Sequence, residues 1–210
     1  MAARYTLHGI WLSGPTYKAG LMMSLTGQPF AYKHVDLRAG AHKSPEYLKV
    51  NRYGQVPTVH DSKGDLNLVQ SGSILQHLAE DTGKFGGKSA AEKARAREWI
   101  FWEFDRLAPN VYRARAAKRG FAKFDDATLA LYNNQANDAL KVLDGELAKS
   151  KYLAGDEPTI GDIAVYGDVW YCHEAEIAVP ANVQAWMKRI EALPGYKAPY
   201  DLLPKEDKAA

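Results

Sequence analysis

The sequence predicts two domains of different class, an α/β domain followed by an all-helical domain. Strand and helix signals alternate over residues 1–83, and strand signals disappear after a Gly/Lys-rich stretch at residues 84–89. From there on, apolar residues recur at helical spacing. We therefore expect one domain at residues 1–83 and an all-helical domain at residues 90–210.

The α/β domain begins with a strand, a helix and a second strand. Tyr5 to Ile10 is short, rich in strand-forming residues and stopped by Ser13-Gly14-Pro15. Proline suits a first helical turn, and Gly27 with Pro29 suits a helix end, so a helix of about three turns lies between them. Phe30 to Leu37 is the predicted second strand.

A short helix and a hairpin follow. Ser44-Pro45 combines a helix cap with a first helical position. Val56 to Val59 is strand-like, and Ser62-Lys63-Gly64-Asp65 turns the chain into a strand at Leu66 to Val69. A proline usually disfavours a strand, so Pro57 indicates a special peptide bond at the strand's start, and a cis bond is one form it can take.

The last helix of this domain is predicted to begin with Ser71 as its cap and to close at Gly83. The predicted order is therefore strand, helix, strand, helix, strand, strand, helix. This alternation within one short domain is the basis for assigning the α/β class.

The helical domain is indicated by apolar stripes and capping signals. Residues 91–119 are predicted to be helical with a kink at Pro109, and Thr159 with Asp162 forms a capping box. Residues 205–210 are expected to be loose. The stripes are Ile100, Phe104, Leu107 and Val111; Leu129, Tyr132, Ala136, Leu140, Leu143 and Leu147; and Val183, Trp186, Met187, Ile190 and Leu193.

Composition narrows the partners and the location. The 27 basic and 25 acidic side chains leave a net charge of +2, which gives no reason to expect nucleic acid or a membrane surface as partner. No apolar run approaches the roughly 20 residues that cross a bilayer, and the single cysteine, Cys172, fits a reducing, cytoplasmic location. The histidines lack metal-ligand spacing and no Gly-rich phosphate loop occurs, so neither a metal nor a nucleotide is expected.

Three segments are candidates for chemistry. Ser13 is placed as an ordinary turn and helix cap, and the same position holds a hydroxyl near the positive end of a helix, where a thiolate would gain a donor. Pro57 leaves the Val56 backbone free for an extended ligand, and Gln70-Ser71 presents an amide, a hydroxyl and free N–H groups to a carboxylate. An edge strand and a simple cap are the alternatives for the last two segments.

In combination and in this order, these motifs resemble the glutathione transferase superfamily along essentially the whole chain. Residues 51–58 are similar to the segment that leads to the family's cis-proline, and Gln70-Ser71 is similar to its γ-glutamyl site. Residues 159–164 resemble the capping box of a core helix in its second domain, and residues 186–194 its late helix. The resemblance implies a thioredoxin-like first domain of βαβαββα order and a helical second domain.

The resemblance also implies roles for individual residues, with glutathione as co-substrate. The Val56 backbone is expected to pair with the cysteinyl part of glutathione beside a cis Val56–Pro57 bond, while Gln70 and Ser71 hold the γ-glutamyl end. Ser13 falls where serine-type classes such as theta, delta and nu place the hydroxyl that supports the thiolate. The residues expected at the glycyl carboxylate are His42, Lys43 and Gln55.

Departures from the other classes leave Ser13 as the first choice of catalytic residue. Gly9 stands where tyrosine-type classes carry their tyrosine, and the start of the first helix lacks the cysteine of cysteine-type members. Thr16 and Tyr17 are the substitutes if the turn is differently shaped. The serine- and cysteine-rich signature of the zeta-type isomerase is also missing, and Cys172 is expected to be a core residue.

A serine donor gives this site a simple mechanism. One charge-assisted hydrogen bond lowers the pKa of a thiol by roughly one to two units, so thiolate predominates near neutral pH. We therefore predict a detoxifying transferase whose thiolate attacks small hydrophobic electrophiles. The electrophile pocket is expected to contain Trp11 and Leu12, with Tyr112 and Trp170 contributed by the helical domain.

Two other functions fit the same residues. One is a glutathione-dependent disulfide reductase or peroxidase, and the other is a non-catalytic binding protein with a transferase fold. The family resemblance also implies a two-fold homodimer through the region around Leu66 to His77 and the first long helix.

Overall fold

The computed structural model describes residues 3–209 and divides the chain into two compact units. The α/β unit contains the chain up to Gly83 together with the chain from Leu193 onward, and the helical unit is Lys84–Ala192. The predicted domains of 1–83 and 90–210 thus differ from this division at the final residues, which pack with the α/β unit. Ala210, the last residue of the segment predicted to be loose, lies outside the described residues.

The α/β unit is built on a mixed sheet. Its strands are β1 (Tyr5–Gly9), β2 (Phe30–His34), β3 (Thr58–Asp61) and β4 (Leu66–Val69). The sheet order is β2-β1-β3-β4, with β1 parallel to β2 and antiparallel to β3, and with β3 and β4 forming a hairpin. This topology, with the interleaved helices, confirms the predicted thioredoxin-like βαβαββα domain.

The helices begin and end largely where the capping residues predict. Ser13 and Ser44 cap the first two helices, and Gly27 ends the first in the left-handed conformation at φ 74°. None of the helices in the described part of the chain combines the length and apolar character that a bilayer span requires. The helices are α1 (Gly14–Thr26), α2 (Pro45–Val50), α3 (Ser71–Thr82), α4 (Ala90–Trp102), α5 (Ala108–Lys118), α6 (Asp126–Leu147), α7 (Ile160–Val169), α8 (Ala181–Glu191) and α9 (Pro199–Leu202).

Two predicted boundaries are wrong for local reasons. β2 ends at His34 rather than Leu37, because the Asp36 carboxylate accepts hydrogen bonds from the Arg38 and Ala39 backbone N–H groups at 2.9 and 3.0 Å and turns the chain. The cap of α3 is Gln70 rather than Ser71, which is the first helical residue. Both differences shift an element by a few residues and leave its type unchanged.

The first long helix of the helical unit contains a wide turn in place of a simple kink. A π-helical turn, Glu103–Leu107, separates α4 from α5 just before Pro109. Proline lacks an N–H and its ring crowds the carbonyl four residues earlier, and the wider turn accommodates both effects. The extra residue changes which side chains face inward, so Glu103 is fully buried. The prediction that Phe104 belongs to the buried stripe is wrong, because its side chain is 38% exposed.

The carboxylate of Asp162 anchors the start of α7. It is fully buried and accepts hydrogen bonds from the Thr159 backbone N–H at 2.8 Å and the Thr159 hydroxyl at 3.0 Å. It also accepts from the Leu153 N–H and the Trp186 Nε1–H, each at 2.9 Å. The predicted reach of Asp162 back to Thr159 is confirmed, and the other two contacts tie the helix start to α8 and to the loop before α7.

Residues 193–209, called the return segment, end alongside β2. Lys208 exchanges two backbone hydrogen bonds with Tyr32, at 2.7 and 2.9 Å. The Asp207 carboxylate accepts from the His34 N–H at 2.8 Å. The expectation that the tail beginning at Lys205 is loose is therefore wrong for residues 205–209, because the open edge of β2 carries backbone groups that bind this segment.

Arg4 joins the start of β1 to β3 and to α3. Its guanidinium donates to both carboxylate oxygens of Asp61 at 2.7 Å and to both of Asp81 at 2.8 Å. The Tyr5 hydroxyl donates to Asp81 at 2.7 Å. The hydrogen bonds from Arg4 hold the pKa of each carboxyl group below its usual value, so the network depends on ionised carboxylates.

Replacing Arg4 by methionine is expected to lower the free energy of unfolding near neutral pH by about 1–3 kcal/mol, between the values of exposed and buried ion pairs. A carboxyl whose folded pKa is lowered stabilises the fold above its unfolded pKa of about 4, and this contribution is lost as the pH falls toward the folded pKa. The difference in the free energy of unfolding between the wild type and Arg4→Met should therefore become smaller below about pH 4. Urea titrations at a series of pH values measure this difference.

The matched control for this experiment is Arg97→Met, which removes an exposed guanidinium from α4. It should change stability little at any pH. A gap between the wild type and Arg4→Met that stays constant with pH would show that Arg4 acts through packing alone.

Candidate functional site

Ser13 lies in the turn between β1 and α1, at the start of the helix. Its backbone is extended, with φ −89° and ψ 119°, and its N–H donates to the Ile10 carbonyl at 2.9 Å. The Ser13 Oγ accepts a hydrogen bond from the Thr16 N–H at 3.2 Å. A hydroxyl has two lone pairs and one proton, so Ser13 can cap α1 with a lone pair and donate its proton to a bound anion at the same time.

The electrostatic setting of this turn favours an anion. The first turn of α1 contains no acidic residue, and helix N-termini carry partial positive charge. Ser13 is half-buried, whereas the two substitutes, Thr16 and Tyr17, are fully buried. The Tyr17 hydroxyl also donates to the Lys197 carbonyl at 2.9 Å. Of these hydroxyls, only that of Ser13 belongs to a side chain with exposed surface.

Gly9, the position expected to match the catalytic tyrosine of tyrosine-type classes, has no room for a side chain. A Cβ atom built on Gly9 would lie 2.1 Å from Thr16 Cγ2 and 2.8 Å from Thr16 Oγ1. The start of α1 therefore packs directly against the end of β1. This packing is a physical reason for the absence of a tyrosine at this position.

Gly9→Ala is accordingly expected to lower the free energy of unfolding by about 1–3 kcal/mol through overpacking. Thr16→Ala removes the two closest atoms and keeps the Thr16 Cβ at 3.1 Å, so the double variant Gly9→Ala/Thr16→Ala should recover part of that loss. Urea titration of the wild type, both single variants and the double variant measures the coupling. Strictly additive effects would contradict a direct clash.

The loop before β3 is held by two side chains. The Val56–Pro57 peptide bond is cis. The Asn51 side-chain amide donates to the Gln55 carbonyl at 2.7 Å and to Thr58 Oγ1 at 3.1 Å, and the hydroxyl of Tyr47 donates to the same Gln55 carbonyl at 2.9 Å. These bonds fix the backbone on both sides of the cis bond.

The roles of Asn51 and Tyr47 are not identified from the sequence. Asn51 is only 2% exposed, and a buried amide of this kind must have hydrogen-bond partners. An asparagine directly after a short helix is the available signal, and it indicates a turn without naming the atoms that the amide binds. Both residues act as supports of the loop that carries Val56.

Gln70 and Ser71 lie at the start of α3 in a strained turn. Gln70 has φ 66° and ψ 118°, a conformation that is costly for a residue other than glycine and is often retained at binding sites. Its amide donates to Gln55 Oε1 at 3.4 Å. The Ser71 hydroxyl is buried and has no hydrogen-bond partner within the described residues. An unpaired hydroxyl beside the free N–H groups of a helix N-terminus fits a carboxylate.

His42 and Lys43 lie against the same loop. They belong to a 3₁₀ turn, Ala41–Lys43, and the Lys43 amine donates to the Gly54 carbonyl at 3.0 Å. Gly54 has φ 56°, and a Cβ there would meet the His42 carbonyl at 2.8 Å, so only glycine suits this close approach. His42 and Lys43 are thus next to Gln55, which in turn contacts Gln70.

The predicted aromatic residues lie in both units. In the α/β unit, Trp11 and Leu12 are half-buried, and the Trp11 ring packs edge-on against Tyr200 with centroids 5.4 Å apart. In the helical unit, the hydroxyl of Tyr112 donates to the Gly167 carbonyl at 3.1 Å, and burial raises its pKa. Trp170 packs against its neighbours Tyr171 and His173 with centroids 4.9 and 4.7 Å apart.

Cys172 is not placed for thiol chemistry. It is fully buried, which confirms the expected core position, and burial raises the pKa of its thiol to about 12. A thiol that stays protonated at neutral pH is a poor nucleophile. Within residues 3–209, no cluster of His, Cys, Asp and Glu side chains is arranged to hold a metal ion.

The architecture and the loop cluster formed by residues 41–43, 51–58 and 70–71 define a class of protein. In this class, a thioredoxin-like domain with a cis-proline loop precedes a helical domain. Family models described as the N-terminal and C-terminal domains of glutathione S-transferase match residues 3–80 and 116–194. A solved glutathione S-transferase from Xanthobacter autotrophicus Py2 is 30% identical with a TM-score of 0.86, over 94% of this chain and 98% of that one. The chain belongs to the glutathione S-transferase family.

Curated proteins that are similar to this sequence are named for different activities. Glutathione S-transferase 3 of Zea mays is 28% identical over 210 residues, covering 94% of each chain. The disulfide-bond oxidoreductase YfcG of Escherichia coli K12 is 29% identical over 167 residues, 76% of this chain and 78% of that protein. The sequence identities to the transferase and to the oxidoreductase are nearly equal, so sequence similarity is consistent with both transferase and disulfide chemistry.

Proposed function

We propose that this protein is a glutathione transferase that activates the glutathione thiol for attack on small hydrophobic electrophiles. The observation that carries the proposal is the geometry of Ser13, whose lone pair caps α1 while its proton is free to bind a thiolate. The proposed reaction needs neither a metal nor a nucleotide.

The loop cluster supports a specific orientation of glutathione. The backbone of Val56 pairs with the cysteinyl portion beside the cis Val56–Pro57 bond. The γ-glutamyl end is bound by the unpaired Ser71 hydroxyl, the Gln70 amide and the N-terminus of α3. The residues assigned to the glycyl carboxylate are Gln55 together with His42 and Lys43, which both lie against Gly54, the residue before Gln55.

The chemical step follows from charge stabilisation. On binding, the thiol releases its proton to solvent, and the thiolate is held by the Ser13 hydroxyl and the N-terminus of α1. The thiolate then forms a bond to the electrophilic carbon, and the leaving group departs with its electron pair. Ser13 is a hydrogen-bond donor in this mechanism and forms no covalent bond. The side chains proposed to contact the electrophile are Trp11 and Leu12 of the α/β unit and Tyr112 and Trp170 of the helical unit.

The test is calorimetric titration of the protein with reduced glutathione in two buffers of different ionisation enthalpy, followed by a conjugation assay with an activated aryl chloride. Binding with proton release near neutral pH, together with turnover of the aryl chloride, would support the transferase. Absence of glutathione binding would overturn it.

A disulfide reductase is the second candidate, favoured by the similarity to YfcG. The same thiolate would attack one sulfur of a disulfide, which breaks the S–S bond, expels the other sulfur as a thiolate and forms a mixed disulfide with glutathione. The thiolate of a second glutathione then attacks the glutathione sulfur of this mixed disulfide, which releases the second substrate thiolate and forms oxidised glutathione. Rates with a small glutathione mixed disulfide, a peroxide and the aryl chloride, measured on one preparation, separate these activities. Binding of glutathione without turnover of any of the three would indicate a non-catalytic binding protein.

We further propose a homodimer in the cytoplasm. Apolar side chains are exposed in both regions implied for the interface, with Leu66 44% and Phe101 69% exposed, and such surface often marks an interface. On the helical unit, an open pocket of about 530 Å³ lies between the π-helical turn and α6. Sedimentation equilibrium tests the dimer, and a monomer at micromolar concentration would contradict it.

A further inference from the structure

The return segment contacts the serine turn, residues 10–13, as well as the sheet. The amine of Lys205 lies 4.9 Å from the centroid of the Trp11 ring, and Tyr200 packs edge-on against the same ring at 5.4 Å. A cation over an indole and an aromatic edge are both attractive contacts. Trp11 is two residues before Ser13, so these contacts act on the turn that carries the serine hydroxyl.

The other end of the return segment is attached to β2. The Asp207 carboxylate accepts from the Lys33 amine at 2.9 Å and from the His34 N–H at 2.8 Å, and these hydrogen bonds lower its pKa. Lys208 pairs with Tyr32 through two backbone hydrogen bonds. The segment therefore extends the sheet at the edge of β2, directly after Lys205 has passed over Trp11.

β1 links the two places where the return segment is attached, the edge of β2 and the Trp11 ring. His34 pairs with Gly9 across the β1–β2 ladder, and the next N–H, that of Val35, donates to the Gly9 carbonyl at 2.8 Å. Gly9 is the last residue of β1, and the serine turn begins at the following residue. The serine turn thus has a support on each side. On one side is the end of β1, which Asp207 stabilises through β2. On the other is the Trp11 indole, which Lys205 and Tyr200 contact.

We propose that the return segment positions the serine turn, with Lys205 and Asp207 as positioning residues for Ser13. Held at both ends, the turn keeps the Ser13 hydroxyl where it meets the bound thiolate. Only the glutathione readout of this proposal rests on the proposed function. The rigidity of the turn itself can be measured on the free protein.

The variants that test the proposal are Lys205→Met/Asp207→Asn, which removes the charged contacts and keeps the side-chain shapes, and Lys208→Pro, which removes the N–H that donates to Tyr32. Glu206→Gln is the matched control, because Glu206 is exposed between the two positioning residues. Hydrogen exchange with peptide-level readout follows the turn, residues 10–13, and the edge of β2.

In the free protein, the double variant is expected to lose protection both at the β2 edge and in the serine turn, while Glu206→Gln exchanges like the wild type. With glutathione, kcat/KM near neutral pH should fall about threefold to tenfold, the range expected for losing weak positioning contacts. The loss should diminish at higher pH, where the thiol ionises without help from Ser13. Lys205→Arg with Asp207 intact should retain wild-type rates, since an arginine also binds an indole face.

One result would overturn the proposal: protection lost at Tyr32 and His34 with the serine turn and the pH profile unchanged. The return segment would then only cover the sheet edge. If the wild type does not bind glutathione, the proposed function fails, and the exchange data on residues 10–13 still decide whether the segment orders the turn.

Discussion

Ser13→Asp is expected to eliminate ionisation of bound glutathione while leaving α1 capped. Aspartate accepts the Thr16 N–H as serine does and is an equally good cap. It has no proton to donate at neutral pH and places a negative charge beside the thiolate. The variant therefore separates the structural role of this position from its chemical role.

The alanine and threonine variants complete the series. Ser13→Ala loses one charge-assisted hydrogen bond of about 1.5–3 kcal/mol, so kcat/KM should fall roughly 10-fold to 150-fold. It also loses the cap, with a stability cost of about 0.5–2 kcal/mol. Ser13→Thr retains both cap and donor and should keep the thiolate.

Ultraviolet difference spectra of bound glutathione report the thiolate, and urea titrations report stability. Ser13→Asp should be as stable as the wild type and show no thiolate near neutral pH. A Ser13→Asp variant that still ionises glutathione would exclude Ser13 as the donor and direct attention to the backbone N–H groups of α1.

Asp162→Ala is expected to lower the free energy of unfolding by about 3–5 kcal/mol, the range for breaking a buried charged network. The substitution strands the buried N–H groups of Leu153, Thr159 and Trp186, which lose their acceptor inside the helical unit. Buried donors without acceptors cost far more than the small loss of side-chain packing.

Urea titration measures this effect, with Asp138→Ala as the control on α6. The Asp138 side chain is 72% exposed and pairs only with a neighbouring lysine in the described contacts, so its loss should change stability by less than about 0.5 kcal/mol. Similar values for both variants would mean that the Asp162 network contributes little beyond an exposed pair. Trp186 fluorescence in Asp162→Ala should also change, because its indole N–H loses its hydrogen-bond acceptor.

The predicted caps and turns agree well with the structure because their interactions are local. Ser44 accepts the N–H of Tyr47 within one helical turn, and the β3–β4 hairpin closes over a short loop whose residues favour turns. Pro109 predicted an irregular helix, but the structure shows a π-helical turn in place of a simple kink, and this turn buries Glu103. The spacing of apolar residues in a sequence does not show that one helical turn contains an extra residue.

The residues proposed to bind glutathione could be predicted from the sequence, but the residues that hold the binding loops in place could not. Ser13, Gln55 and Gln70 are identified from the order of motifs and the family resemblance. The structure adds that Gln55 and Gln70 contact each other and that Asn51 holds the Gln55 carbonyl. These contacts cross from one loop to another, and a single sequence does not state which loops meet.

By itself, the sequence determined the order of strands and helices, the ends that capping residues define and the segments that carry the chemistry. All of these depend on interactions within a few residues, which the side chains encode directly. The tertiary structure decided where the highly charged segment at residues 205–208 lies. Its composition indicates a solvated chain, but the open edge of β2 offers hydrogen-bonding groups, and Asp207 meets His34 across 173 positions of sequence. Sheet edges accept whichever backbone the fold delivers to them, so only the folded chain determines that partner.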